Sequence, residues 1–80
     1  MKIIVCDIMA NTREGIIVRH PNIEAADTDK AVNAAKEYVN RNILGCSFAS
    51  FAIKDENNDW CVVGYNPAKD EVQILKPVAD

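Results

Sequence analysis

The residues with the most intrinsic chemistry are three cysteines, one histidine and a small acidic cluster. Cys46 stands between Gly45 and Ser47, a setting that invites a nucleophile. It also follows the expected end of a helix, where the negative pole of the dipole disfavours a thiolate. An ordinary small residue in a turn is the plainer reading. Cys6 and His20, the only histidine, come opposite one another if the first two strands pair Ala10 with Ile16. A thiol beside an imidazole is the beginning of a nucleophile–base pair, but no third group is placed to orient the base. A metal would need several converging ligands. Cys6 and Cys61 fall on the expected core face, and free cysteine is among the most buried residue types. Asp55, Glu56 and Asp59 occupy a turn without the spacing of a calcium loop. Gly15, Gly45 and Gly64 are isolated, so no glycine-rich phosphate loop exists. The expectation is a protein that is not an enzyme, with no catalytic residue, no metal ligand and no cofactor.

What remains is contact chemistry, and it depends on the strands that carry it. Residues 2–10 and 16–20 read as two β-strands joined by a turn at Asn11-Thr12-Arg13-Glu14-Gly15. Alternation then puts Ile4, Cys6, Ile8, Ala10, Ile16 and Val18 on one face and Ile3, Val5, Asp7, Met9, Ile17 and Arg19 on the other. Pro21-Asn22 ends or bends the second strand. Ile23–Ala26 leads into a helix capped by Asp27 or Thr28 and running to about Leu44. Val32, Ala35, Val39 and Ile43 share one helix face, with Ala31, Ala34 and Tyr38 beside them. Gly45 suits the position past the helix end, where a positive φ is needed.

Ser47–Lys54, Trp60–Tyr65 and Glu71–Lys76 read as three further strands. A three-residue hairpin loop with Asn58 in the left-handed region pairs Lys54 with Trp60 and gathers Ala49, Phe51, Ile53, Cys61, Val63 and Tyr65 on the core face. A type I turn over Asn66–Lys69 pairs Tyr65 with Val72, which puts Val72 and Ile74 on that face too. The resulting expectation is an α+β fold of order ββαβββ, one helix packed on one face of an antiparallel five-stranded sheet, in a single domain spanning residues 1–80. Strand one is apolar on both faces and belongs in the middle. Strand five, with Glu71, Gln73, Lys76 and Pro77, suits an edge. The favoured spatial order is 2-1-3-4-5, with 2-1-5-4-3 as the alternative.

One helix cannot cover both faces of such a sheet. The face away from it would carry Trp60, Val62, Phe48, Leu75, Ile3, Val5 and Ile17, together with Met9, Ala52 and Pro77. These are the expected binding residues, since a large exposed apolar patch marks an interface and Trp is favoured at hot spots. A terminus or a loop lying over part of the face is the competing arrangement.

Composition narrows the partner. The 80 residues carry a net charge of −3, and the nine basic residues are dispersed, which disfavours nucleic acid and anionic membrane as partners. Hydrophobic residues make up 49% and charged residues 26%, the balance of a globular chain and not of a disordered one. Neither a secretory signal nor a membrane-spanning stretch is visible. An odd number of cysteines without a C-x-x-C pair reads as reduced thiols, hence a cytoplasmic protein.

Residues 23–35, Ile-Glu-Ala-Ala-Asp-Thr-Asp-Lys-Ala-Val-Asn-Ala-Ala, run from a strand end through a polar cap into an "A-V-x-x-A" helix. This passage resembles that of small accessory proteins from phages and mobile elements. In size, acidity and one-helix-on-a-sheet layout the chain resembles some anti-CRISPR inhibitors. It is also loosely similar to antitoxins of the HicB type, which place three strands before the helix where this sequence offers two. The anti-CRISPR likeness implies a stoichiometric inhibitor that binds a nuclease or its RNA-guided complex, and it carries no functional residue across. The expected function is therefore a non-catalytic protein-binding module, an inhibitor or a homodimer. An antitoxin-like or single-stranded nucleic-acid-binding domain is the alternative, in which Phe48 and Trp60 would stack bases near Lys54, Arg19 and Arg13.

Overall fold

Strand pairing organises the chain. The computed structural model describes residues 2–75. In chain order the elements are β1 (Ile3–Thr12), β2 (Gly15–Arg19), β3 (Ile23–Ala25), α1 (Thr28–Asn42), β4 (Phe48–Lys54), β5 (Trp60–Asn66) and β6 (Glu71–Leu75). All strands belong to one antiparallel sheet of order β2-β1-β4-β5-β6, and β3 also pairs with β1. The fold is α+β, with one helix against one face of an open antiparallel sheet. The long strands take the favoured spatial order, but among the described residues the sheet has six strands where five were expected. The extra one, β3, is three residues long, and its Ile-Glu-Ala is too short to be told from an extended lead-in to the helix. The expected continuation of the last strand to Lys76, and the place of Pro77, lie outside the described residues.

The helix starts where Asp27 accepts a hydrogen bond from the Lys30 backbone N–H at 2.8 Å. That side-chain oxygen satisfies one of the donors left free in the first turn. Its buried stripe is Ala31, Val32, Ala35 and Val39. The small alanines bring the helix close to the sheet, where it sits over β1, β3 and β4. The helix ends two residues before Leu44, with Ile43 as its C-cap. Gly45, at φ +70°, turns the chain one position later than expected. The core closes around Val5, Ile8, Phe51, Val63 and Tyr65, each at most 1% exposed. Phe51 and Tyr65 pack as tilted rings 5.8 Å apart. The Tyr65 hydroxyl accepts from Asn40 Nδ2 at 3.1 Å, so the one phenol of the core keeps a polar partner.

The second half of the sheet follows its alternation. Lys54 pairs with Trp60, Tyr65 with Val72 and Val62 with Leu75. Asn58 takes φ +62° in the β4–β5 loop, where Asp55 Oδ1 accepts from the backbone N–H groups of Asn57 and Asp59.

The first half departs from strict alternation in two places. Val5 pairs with Ile53 and Asp7 with Ala52, so Cys6 is an extra residue bulged out of the ladder. The bulge reverses the parity of everything before it. Ile3 (5% exposed) and Val5 (0%) therefore join Ile8 and Ala10 in the core instead of lying on the open face. A regular strand cannot do this, because Ile3, Val5 and Asp7 would share one face. The bulge buries four apolar side chains and leaves the carboxylate outside. Cys6, expected on the core face, sits half-buried at the bulge itself. The β1–β2 hairpin is also shifted by one residue. Thr12 pairs with Gly15 and Asn11 with Ile16 around a two-residue Arg13-Glu14 turn, with Gly15 at φ +128°. Ile17, expected on the open face, consequently pairs with Ala10 and packs against the core, while Ile16 and Val18 turn outward.

Candidate functional site: the open face of the sheet

Transverse rows across the sheet define the uncovered face. One row runs Val18–Met9–Ser50–Gly64–Gln73 and the next Asp7–Ala52–Val62–Leu75. A third runs Glu24–Ile4–Lys54–Trp60, and Ile16, Asn11 and Phe48 form the fourth. Trp60, Val62, Phe48 and Leu75 thus lie on this face in the register expected from the sequence. Ile3, Val5 and Ile17 lie on the other. Their places are taken by Ile16 and Val18, which the shifted hairpin brings out. The signal for them was Gly15, whose positive φ closes a tight turn and moves the register by one.

Six large apolar side chains on this face remain substantially exposed: Met9, Ile16, Val18, Phe48, Trp60 and Leu75, at 42–65%. Phe48 is held by a specific device. Its ring lies across Gly64, so that a Cβ built there would come within 2.9 Å of Phe48 Cζ. A glycine in a strand gives up packing and entropy, and here the vacated space seats an aromatic ring. Trp60 is flanked by Lys54, whose Nζ lies 5.7 Å from the ring centroid. The charged groups on this face are few. His20 Nδ1 meets Asp7 Oδ1, so the histidine's partner is the carboxylate and not the Cys6 thiol that a pairing of Ala10 with Ile16 would have set opposite it. Glu24 meets Lys2 at 3.7 Å.

The residues with latent chemistry are spread over the molecule. Cys46 lies in the turn before β4 and Cys61 on the helix side of β5, and burial pushes both thiols above their ordinary range, away from the nucleophilic thiolate. A cleft of about 250 Å³ between the start of α1 and the β4–β5 hairpin is lined by Ile3, Thr28, Ile53, Asp55, Trp60 and Cys61, among others. Its Asp55 carboxylate accepts from the loop backbone N–H groups of Asn57 and Asp59. Among the described residues, no three His, Cys, Asp or Glu side chains converge as a metal site. No helix of the described residues is long and apolar enough to cross a membrane.

The fold and site define a small α+β protein with a one-sided sheet. The chain matches no protein-family model, no curated protein and no solved structure.

Proposed function

We propose that this protein is a non-catalytic binding module that works in the cytoplasm and engages another protein through the open face of its sheet. The observation that carries the reading is the set of six large apolar side chains, 42–65% exposed, on a face that the single helix leaves uncovered. Isolated exposed apolar residues are ordinary on any surface, whereas a cluster on one face is the mark of an interaction site. Trp60 and Phe48 are the anchors. Each is amphipathic or seated by a neighbour, and aromatic side chains dominate interface energetics.

The resemblance of residues 23–35 to phage accessory proteins directs the choice of partner toward the nuclease of an RNA-guided defence complex, with the protein acting as a stoichiometric inhibitor. Nucleic acid fits the face less well. Arg19 pairs with Ile8 and so belongs to the helix side, and Asp7 and Glu24 stand among the rows. Among the described residues, no basic stripe to follow phosphates runs along the open face. Paired affinity capture from a host lysate tests the reading, with the natural chain and Trp60→Ala as baits and mass spectrometry as the readout. A protein retained by the natural chain and lost from the variant supports it. Identical captures from both baits would remove the open face from the interaction.

A further inference from the structure

The two edges of the sheet are built differently. The edge formed by β2 and β3 is interrupted at residues 20–22. Pro21 has no N–H to offer there, and Asn22 takes φ +51°. Cys6 bulges from β1 just behind the break, and exposed Arg19 and Glu24 flank it. Interruption, bulge, proline and charge are the means by which proteins keep an edge from pairing. Within Glu71–Leu75 the β6 edge has no interruption, bulge or proline, and its one charge, Glu71, stands at the start of the strand. That strand is regular, among the described residues it is paired on one side only, and all five of its residues are exposed. It is also apolar toward both faces. Leu75 (42% exposed) points to the open side, while Val72 (38%) and Ile74 (59%) point to the helix side, beyond the area over which the helix sits.

We infer that β6 is the interface for a second copy of this chain, paired antiparallel to its own β6 about a two-fold axis through Gln73. The register follows from the residues. Full overlap of two Glu71–Leu75 strands requires Gln73 opposite Gln73, and this sets Val72 opposite the partner's Ile74 twice, on the helix side. Residues directly opposed in an antiparallel ladder share a face. The helices of both copies therefore lie on the same side of a continuous sheet running β2-β1-β4-β5-β6-β6-β5-β4-β1-β2. Shifting the register by one would oppose Val72 to Gln73 and flip one copy, matching apolar to polar throughout. In the two-fold register each Glu71 faces a leucine. The two glutamates stand at opposite ends of the ladder, roughly 13 Å apart at the usual strand rise, so the acidic chain meets little repulsion at the contact. A short edge ladder with a few apolar side chains is at the small end of specific interfaces, so the dimer is weak and concentration-dependent. It leaves the open face free.

Sedimentation equilibrium of the full chain across a concentration series, with far-UV circular dichroism as a fold control, tests this. The natural chain is expected to follow a monomer–dimer equilibrium that Ile74→Lys weakens at least tenfold without changing the spectrum. Gln73→Cys provides an arm that does not depend on a disruptive substitution. Mild oxidation should link two chains through position 73, above the baseline set by the natural chain with its three half-buried thiols. A monomer at every concentration, with no linkage through position 73, would overturn the inference. A dimer that survives Ile74→Lys and is lost in Trp60→Ala would also overturn it, since self-association would then use the open face.

Discussion

Phe51 and Phe48 stand three positions apart on β4, and Tyr65 and Trp60 five apart on β5, yet their surroundings are opposite. Phe51 and Tyr65 are 0 and 1% exposed, and Phe48 and Trp60 are 44% exposed each. Both faces of the sheet carry aromatic and branched residues, so composition does not separate them. The helix separates them. Its alanine stripe joins Val5, Ile8 and Phe51 in one core and closes one side, and among the described residues no second layer covers the far side. Apolar surface on the covered side contributes to folding. Comparable surface on the other side contributes little to the isolated chain and is available to a partner.

Mutations should sort by face. Phe51→Ala removes a fully buried ring and should cost about 3–5 kcal/mol, a large part of the 5–10 kcal/mol or so expected for a domain of this size. Chemical denaturation should show a sharply lowered midpoint or a chain unfolded in buffer. A stability change below about 1 kcal/mol would mean that the covered side is not the core.

A finer test compares neighbours on β1. Ile3→Ala should cost about 2–5 kcal/mol, the usual range for a buried isoleucine. Ile4→Ala should cost less, because Ile4 faces outward before the Cys6 bulge. The reverse ranking in urea titrations would put the bulge elsewhere and restore simple alternation to the strand.

These two strands also mark the boundary of what the sequence discloses. From Phe48 onward, the core residues Ala49, Phe51, Ile53, Cys61, Val63 and Tyr65 recur at every second position between turn residues with defined roles: Asn58 in the left-handed region, and Asn66, whose side chain accepts from the Ala68 N–H at 3.1 Å. Alternation and turn chemistry agree there, and the register follows. The helix is equally legible from its cap and its alanine stripe. Ile3-Ile4-Val5 has no alternation, so either parity buries something apolar, and the choice falls to long-range pairing with β4. Asp7 is the only charged residue between Ile3 and Thr12. It fixes the outward side of its own position, but not that of residues before a bulge. β3 is too short to announce itself. The candidate site inherits this division: Phe48, Trp60, Val62 and Leu75 are legible, and Ile16 and Val18 emerge only with the shifted hairpin.

On the open face the expected stability effects are small. Gly64→Ala brings a Cβ toward the Phe48 ring, which is half exposed and can swing away. The gain in strand propensity offsets part of the strain, leaving a net change within about 1 kcal/mol. The Phe48 ring should nevertheless move, visible as shifted aromatic resonances in an NMR spectrum. Unchanged resonances would mean that the ring does not rest on Gly64.

Trp60→Ala joins the smallest stability effects with the largest effect on association, and it is the most direct test of the protein-binding reading. Once a partner has been captured, its affinity for the natural chain and for Trp60→Ala should be measured by titration calorimetry, alongside denaturation of both proteins. The two proteins are expected to match in stability to within about 1 kcal/mol, and Trp60→Ala to lose affinity at least about thirtyfold, the scale of a hot-spot residue. Equal affinities for the two proteins would contradict that reading.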